Sequence, residues 1–146
     1  MKFEMTKPLF SATVASYVIL IFIFVLFVFL AIMFLSAGKY QLSVDTGRID
    51  IKSVFYNTHL PLADVDIENV KVINLNDAPI RAVRINGIGL QGLKIGWFTR
   101  NGKKTKLYVT DTTSVVLIPT KKNYDILFSS GDAAGIVAEI KKTGAE

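Results

Sequence analysis

The sequence predicts a mainly β domain carried behind a single N-terminal transmembrane helix and closed by a C-terminal α-helix. Three observations lead there. Nineteen consecutive residues, Tyr17 to Leu35, are apolar or aromatic, and no charge occurs between Lys7 and Lys39. Beyond Lys39 the apolar residues fall into short runs with a period of two, separated by Gly, Asn, Asp and Pro, which is the pattern of strands and turns. From Asp132 the apolar spacing becomes three and four, the period of a helix with one buried face.

The apolar run comes first in the chain. At ~1.5 Å per residue its nineteen residues cover about 28 Å, close to the ~30 Å hydrocarbon core of a bilayer. The weakly polar lead-in from Leu9 to Ser16 extends the helix and permits tilt. A cleavable signal peptide, its main rival, has an apolar region of about 7 to 15 residues before a small-residue site. Cleavage would fall after Ala37, but the run here is longer. A buried core helix fits less well, because the following chain is too small to wrap a helix that is apolar on every face. The expected division is a tail over 1–8, a transmembrane helix over 9–36, a β domain over 40–142 and a tail over 143–146. Lys2 and Lys7 flank the helix on one side and Lys39 on the other. This near balance, with a short leading tail and a long trailing domain, reads as a signal anchor with its N-terminus inside and the C-terminal domain outside the cytoplasm.

Past residue 36 the chain carries 15 Lys/Arg against 11 Asp/Glu. That mildly basic balance suits anionic headgroups or acidic partners and falls well short of a nucleic-acid-binding composition. Cysteine is absent, which removes disulfides, thiolate metal sites and thiol nucleophiles.

The expected strands follow in order. Tyr40 to Asp45 and Ile49 to Lys52 alternate around a turn at Asp45-Thr46-Gly47, giving a hairpin. Phe55 to Leu60 reads as a strand stopped by Pro61. Val70 to Asn74 and Gly92 to Thr99 come next. Asn101-Gly102 accepts the positive φ of a type I′ turn and leads into Lys104 to Thr110. Ser114 to Pro119 and Tyr124 to Ser129 complete eight short runs, which read as an open antiparallel barrel or sandwich of roughly seven strands. Asp132 then caps a helix whose buried face is Ile136, Val137 and Ile140, with Lys141 and Lys142 favourable at its C-terminus.

These elements, taken together, resemble the bacterial pleckstrin-homology-like domains of small membrane-anchored proteins, over about Tyr40 to Lys142. Leu42-Ser43-Val44-Asp45 through Ile49-Asp50-Ile51 is similar to the opening hairpin. Tyr56 followed by Leu60-Pro61-Leu62-Ala63-Asp64-Val65 is similar to the second strand and its turn, and Val70 to Leu75 to the strand after it. Gly87-Ile88-Gly89-Leu90-Gln91-Gly92 leads into Gly96-Trp97-Phe98, Leu107-Tyr108-Val109 precedes Val116-Leu117-Ile118, and Tyr124 to Phe128 with the helix matches the end. The resemblance implies a seven-stranded, strongly bent β-sandwich capped by an α-helix. It also implies a binding or assembly module, with no catalytic signature among the matched residues and no indication of the ligand.

Each candidate for chemistry has a plainer reading. Gly87, Gly89 and Gly92 satisfy G-x-G-x-x-G, but a β pattern follows where a dinucleotide site needs a helix, so tight turns and a close strand crossing are expected. His59 is the only histidine and lies in a strand, a half-exposed structural residue. Asp64, Asp66 and Glu68 lack the ligand number and glycine turn of a calcium loop and read as a solvated turn. Ser114 and Ser129 have no nucleophile context. No enzyme, metal or cofactor is expected. The basic residues Arg100, Lys103, Lys104 and Lys106 around the Asn101-Gly102 turn, with Lys121 and Lys122 in another loop, are candidates for lipid or partner binding. Solvated hairpin tips are the competing reading. Of Trp97 and Phe98, which point oppositely on a strand, one is core and the other a contact aromatic, with Trp97 the candidate.

The expected function is a non-catalytic, membrane-anchored module that binds other membrane or envelope proteins, a second copy of itself among them. The alternative is a sensor of anionic lipid headgroups acting through Arg100, Lys103, Lys104 and Lys106. Nucleic acid is not an expected partner.

Overall fold

The computed structural model describes residues 12–36, 38–77 and 82–145. The expected tail over 1–8, with its Lys2 and Lys7, the helix lead-in 9–11 and Glu146 lie outside the described residues. The chain divides into two compact units, residues 1–36 and 37–146.

The first unit holds one helix, α1 (Ala12–Ser36). A span of 24 residues, Thr13–Ser36, is long and apolar enough to cross a membrane, with a mean hydropathy of 3.5, and none of it is buried. Length and composition fit a membrane span and a signal sequence alike.

The second unit is mainly β. Its first sheet contains β1 (Tyr40–Asp45), β2 (Arg48–Ser53) and β3 (Thr58–Pro61), antiparallel and in that order. The second contains β4 (Lys71–Ile73), β5 (Ala82–Leu90), β6 (Leu93–Arg100), β7 (Lys103–Val109), β8 (Val115–Pro119) and β9 (Tyr124–Ser129), in the order β4-β8-β9-β7-β6-β5. Two 3-10 turns, Leu62–Asp64 and Ile67–Asn69, carry the chain between the sheets. Helix α2 (Ala133–Thr143) ends the fold.

The described strands number nine in sheets of three and six, against the eight runs and the roughly seven strands expected from the pattern. The main addition is β5, whose alternation is interrupted by glycines and by a register shift between Arg84 and Asn86. The expected strand from Phe55 is shorter at its start, because residues 54–57 form the loop into β3. One pairing departs from an all-antiparallel expectation: β7 and β9 run parallel. β8 pairs on the outer side of β9, so the chain skips one place after β7 and returns into the gap.

Both faces of the large sheet are buried at its centre, which is why β7 is buried continuously from Thr105 to Val109. One face packs Ile95, Tyr108, Val116, Ile118, Ile126 and Phe128 against Ile49, Ile51 and Leu60 of the small sheet and Ile140 of α2. The other gathers Phe98, Leu107, Val109, Val115 and Leu127 around Leu75. Helix α2 begins as the sequence predicts. The Asp132 carboxylate accepts from the Gly135 N–H at 3.0 Å, satisfying a donor that the first turn leaves free. Ile140 is fully buried, while Ile136 and Val137 are partly buried against the same core.

The G-x-G-x-x-G run is strand and turn. Gly87 pairs directly with Gly96, at φ 145 and 117, and a Cβ on either would collide with the facing backbone, the Ile95 carbonyl or the Asn86 carbonyl. Gly92, at φ 77, makes the turn into β6.

The strands give the second unit two distinct ends. Gly38 lies against Thr110 and Leu93, the end of β7 and the start of β6, and this is the entry end. The β6–β7 turn at Asn101-Gly102 is at the opposite, far end. The eight residues of β6 put about 23 Å between the two ends at ~3.3 Å per residue.

Candidate functional site

On a sheet, residues paired across neighbouring strands point to the same face. The register aligns Val83, Thr99, Lys104 and Tyr124 in one row, and Asn86, Trp97, Lys106 and Ile126 in the next. The second row reaches into the core at Ile126. The first lies nearer the far end, where Val83 is 70% and Ile85 52% exposed. Trp97 is half-buried and packs edge-on against Tyr124, with ring centroids 5.2 Å apart. Ile85, Asn86, Trp97 and Lys104 line a depression of about 300 Å³ here. β5 is also an outer strand of the sheet, so an edge that is unpaired among the described residues runs alongside the depression.

Lys106 lies beneath this patch and is buried at 7% exposure. Its ammonium donates to the Asn57 carbonyl at 3.0 Å and to Thr58 Oγ1, and it sits 5.4 Å from the Trp97 ring centroid and 5.7 Å from that of Tyr108. No carboxylate lies within ion-pair distance of it among the described residues. Burial therefore holds its pKa below the ordinary lysine value. Tyr108 stands beside it, with its hydroxyl 2.7 Å from Thr58 Oγ1 and donating to the Tyr56 carbonyl at 2.8 Å. Burial pushes the Tyr108 pKa up to about 12.

The remaining basic candidates do not form one free cluster. Lys103 pairs with Asp125 at 2.7 Å and Lys122 with Asp64 at 2.7 Å, and that pairing raises the Lys122 pKa. Lys121 donates to the Ala63 carbonyl at 2.9 Å. Lys104 is exposed and Arg100 half-exposed. All of these lie toward the far end, in or beside the turns between β6 and β7 and between β8 and β9.

Several of the other sequence candidates have structural partners. His59 and Asp50, opposite each other on β3 and β2, meet Nδ1 to Oδ1 at 2.7 Å. Asp66 accepts from the Asn69 amide at 2.8 Å. Ser129 Oγ is buried and accepts from the Thr110 N–H at 2.9 Å. No group of three or more His, Cys, Asp or Glu is placed to hold a metal among the described residues.

Sequence reading missed Val83 and Ile85 as surface residues. The Val83-x-Ile85 alternation is the available signal, masked by the glycines that follow. The family model of the bacterial PH domain matches residues 40–143. No curated protein and no solved structure matches the chain.

Proposed function

We propose, from the premise that this chain belongs to the bacterial PH domain family, that it is a membrane-anchored, non-catalytic module that binds another membrane or envelope protein. Domains of this kind are generally not enzymes. In this reading α1 is the anchor, with its N-terminus inside and the domain outside the cytoplasm. The partner engages the patch formed by Val83, Ile85, Trp97 and Lys104. The observation that carries the reading is the exposure of Val83 and Ile85 on a sheet edge unpaired among the described residues, next to a half-buried Trp. A free edge with apolar side chains is a template for an added strand, main-chain bonds giving affinity and side chains specificity.

The lipid-sensor alternative draws less support from the same geometry. Two of its cations, Lys103 and Lys122, already have carboxylate partners, and Lys106 is buried. Photo-cross-linking from position 85 in native membranes tests the protein-binding reading. A discrete adduct with another protein or a second copy, absent for a probe at Arg48, supports it. No adduct, together with salt-sensitive binding of residues 39–146 to anionic vesicles, favours the lipid sensor. A reporter fused after Glu146 tests the orientation.

A further inference from the structure

Only Ala37 separates Ser36, the last residue of α1, from Gly38 at the domain's entry end. Two peptide units reach about 7 Å, and that limit holds at any angle between the two units. Two loops flank Gly38 within the domain. The β2–β3 loop contributes Val54, which shares a shallow depression with Gly38, Lys39 and Lys52. The β5–β6 turn contributes Leu90, Gln91 and Gly92, leading to Leu93, which lies against Gly38. Val54 is 51%, Phe55 40% and Leu90 44% exposed.

Single exposed apolar residues need no explanation, but these three gather in the two loops that flank Gly38. Among the described residues, three far-end turns, Asp45-Thr46-Gly47-Arg48, Arg100-Asn101-Gly102-Lys103 and Lys121-Lys122-Asn123, hold no large aliphatic or aromatic side chain, and the exposed Val83 and Ile85 nearer that end lie on β5 in the patch beside Trp97. The entry end also carries Lys39 and Lys52, both exposed, and Lys94, half-exposed. The acidic group near the β5–β6 turn is Asp111, whose carboxylate is already bonded to the Thr113 N–H and hydroxyl. Apolar tips among long cations are the composition of a surface that lies in the boundary between headgroups and acyl chains.

We propose that the entry end is a lipid-contact face. The Leu90–Gly92 turn and the Val54-Phe55 loop rest in the interface of the bilayer that α1 crosses, with Lys39, Lys52 and Lys94 against anionic headgroups. The proposal rests on α1 being an anchor. It fixes which end of the domain meets lipid and leaves the Trp97 patch toward the water.

The chain has no cysteine, so single-cysteine variants of the full chain report one position each. V54C, L90C, N101C and F24C are labelled with an environment-sensitive fluorophore. They are then reconstituted into vesicles of phosphatidylcholine and phosphatidylglycerol containing doxyl-labelled lipid. Probes at 24, 54 and 90 are expected to be blue-shifted and quenched, and the probe at 101 to remain aqueous. Quenching at 24 with 54 and 90 as unquenched as 101 overturns this proposal and leaves the anchor standing. No quenching at 24 overturns both. In phosphatidylcholine alone, quenching at 54 and 90 is expected to fall roughly twofold as the lysines lose their counter-charge. Unchanged quenching overturns the part assigned to the lysines.

Discussion

Trp97 and Lys106 stand directly opposite each other on β6 and β7, with the ammonium 5.4 Å from the indole centroid. The ring does two jobs at once. It covers a cation that has no carboxylate partner among the described residues, and its exposed side forms the wall of the surface depression. A cation over an indole gains ~0.5–2 kcal/mol, more as water is excluded. The patch proposed to meet a partner is therefore tied to the interior through one residue pair.

The first prediction concerns that pair. Trp97→Ala removes a half-buried ring and admits water to the ammonium. We expect it to destabilise the domain by about 2 kcal/mol, less than the ~3–5 kcal/mol of a fully buried aromatic because the ring is only half-buried, and to return the Lys106 pKa toward its ordinary value. Trp97→Phe keeps a ring face and should recover most of the stability. Urea unfolding of the full chain in detergent, followed by circular dichroism, measures this, since Trp97 is the only tryptophan. Equal loss in both variants would show that the ring face is irrelevant.

The second prediction is a stability maximum near pH 10. Lys106 has a lowered folded pKa, so below 10.5 the unfolded chain binds more protons than the folded one and stability rises with pH up to that point. Tyr108 has its folded pKa raised from 10.0 to about 12. Its contribution is whole below pH 10 and is lost as pH rises through 12, a fall of at most about 3 kcal/mol. Lys106→Met should flatten the rise and Tyr108→Phe the fall, relative to wild type. If the alkaline fall persists unchanged in Tyr108→Phe, this assignment is wrong.

The third prediction lies at the acid end. Asp50 is held by the hydrogen bond from His59, and Arg48 approaches its other oxygen at 3.1 Å. First the His59 bond and then the Arg48 charge hold its pKa below 3.8. Stability from this pair is present above that value and disappears as pH falls through the lower folded pKa. Asp50→Asn should remove that part of the acid sensitivity, seen as a smaller shift of the urea midpoint between pH 6 and pH 3. Identical shifts in wild type and variant would exclude Asp50 as a contributor.

The fold is largely legible in the residues, and the places where it is not have physical causes. The Asn101-Gly102 turn adopts positive φ at both positions, 50 and 80, as the dipeptide demands. Asp132 caps α2 because its short carboxylate reaches a free N–H. β5 was hidden because glycine carries no hydropathy, so a strand whose glycines allow a close crossing shows no alternation there. Lys106 reads as one more hairpin lysine. Counting by two, however, puts it on the face of Tyr108, and tertiary packing then buries it. The pairing of Lys103 with Asp125 and of Lys122 with Asp64 joins residues distant in sequence, which composition cannot announce.

The last prediction tests the crossing at Gly87 and Gly96. Each is the other's direct partner, and each holds a positive φ with no room for a Cβ. Gly92 also has a positive φ but nothing within 4 Å of its would-be Cβ. Gly92→Ala should therefore cost only the backbone strain, about 1 kcal/mol. Gly87→Ala and Gly96→Ala add a collision with backbone that cannot rotate away, and we expect about 3 kcal/mol for each. Both added methyls enter the same gap, so once the first has parted β5 from β6 the second meets less resistance. The double variant should then lose clearly less than the two single losses combined, the signature of coupled neighbours. Urea unfolding of the four variants decides it: a Gly87→Ala loss no larger than that of Gly92→Ala would mean that β5 does not need this close approach to pair.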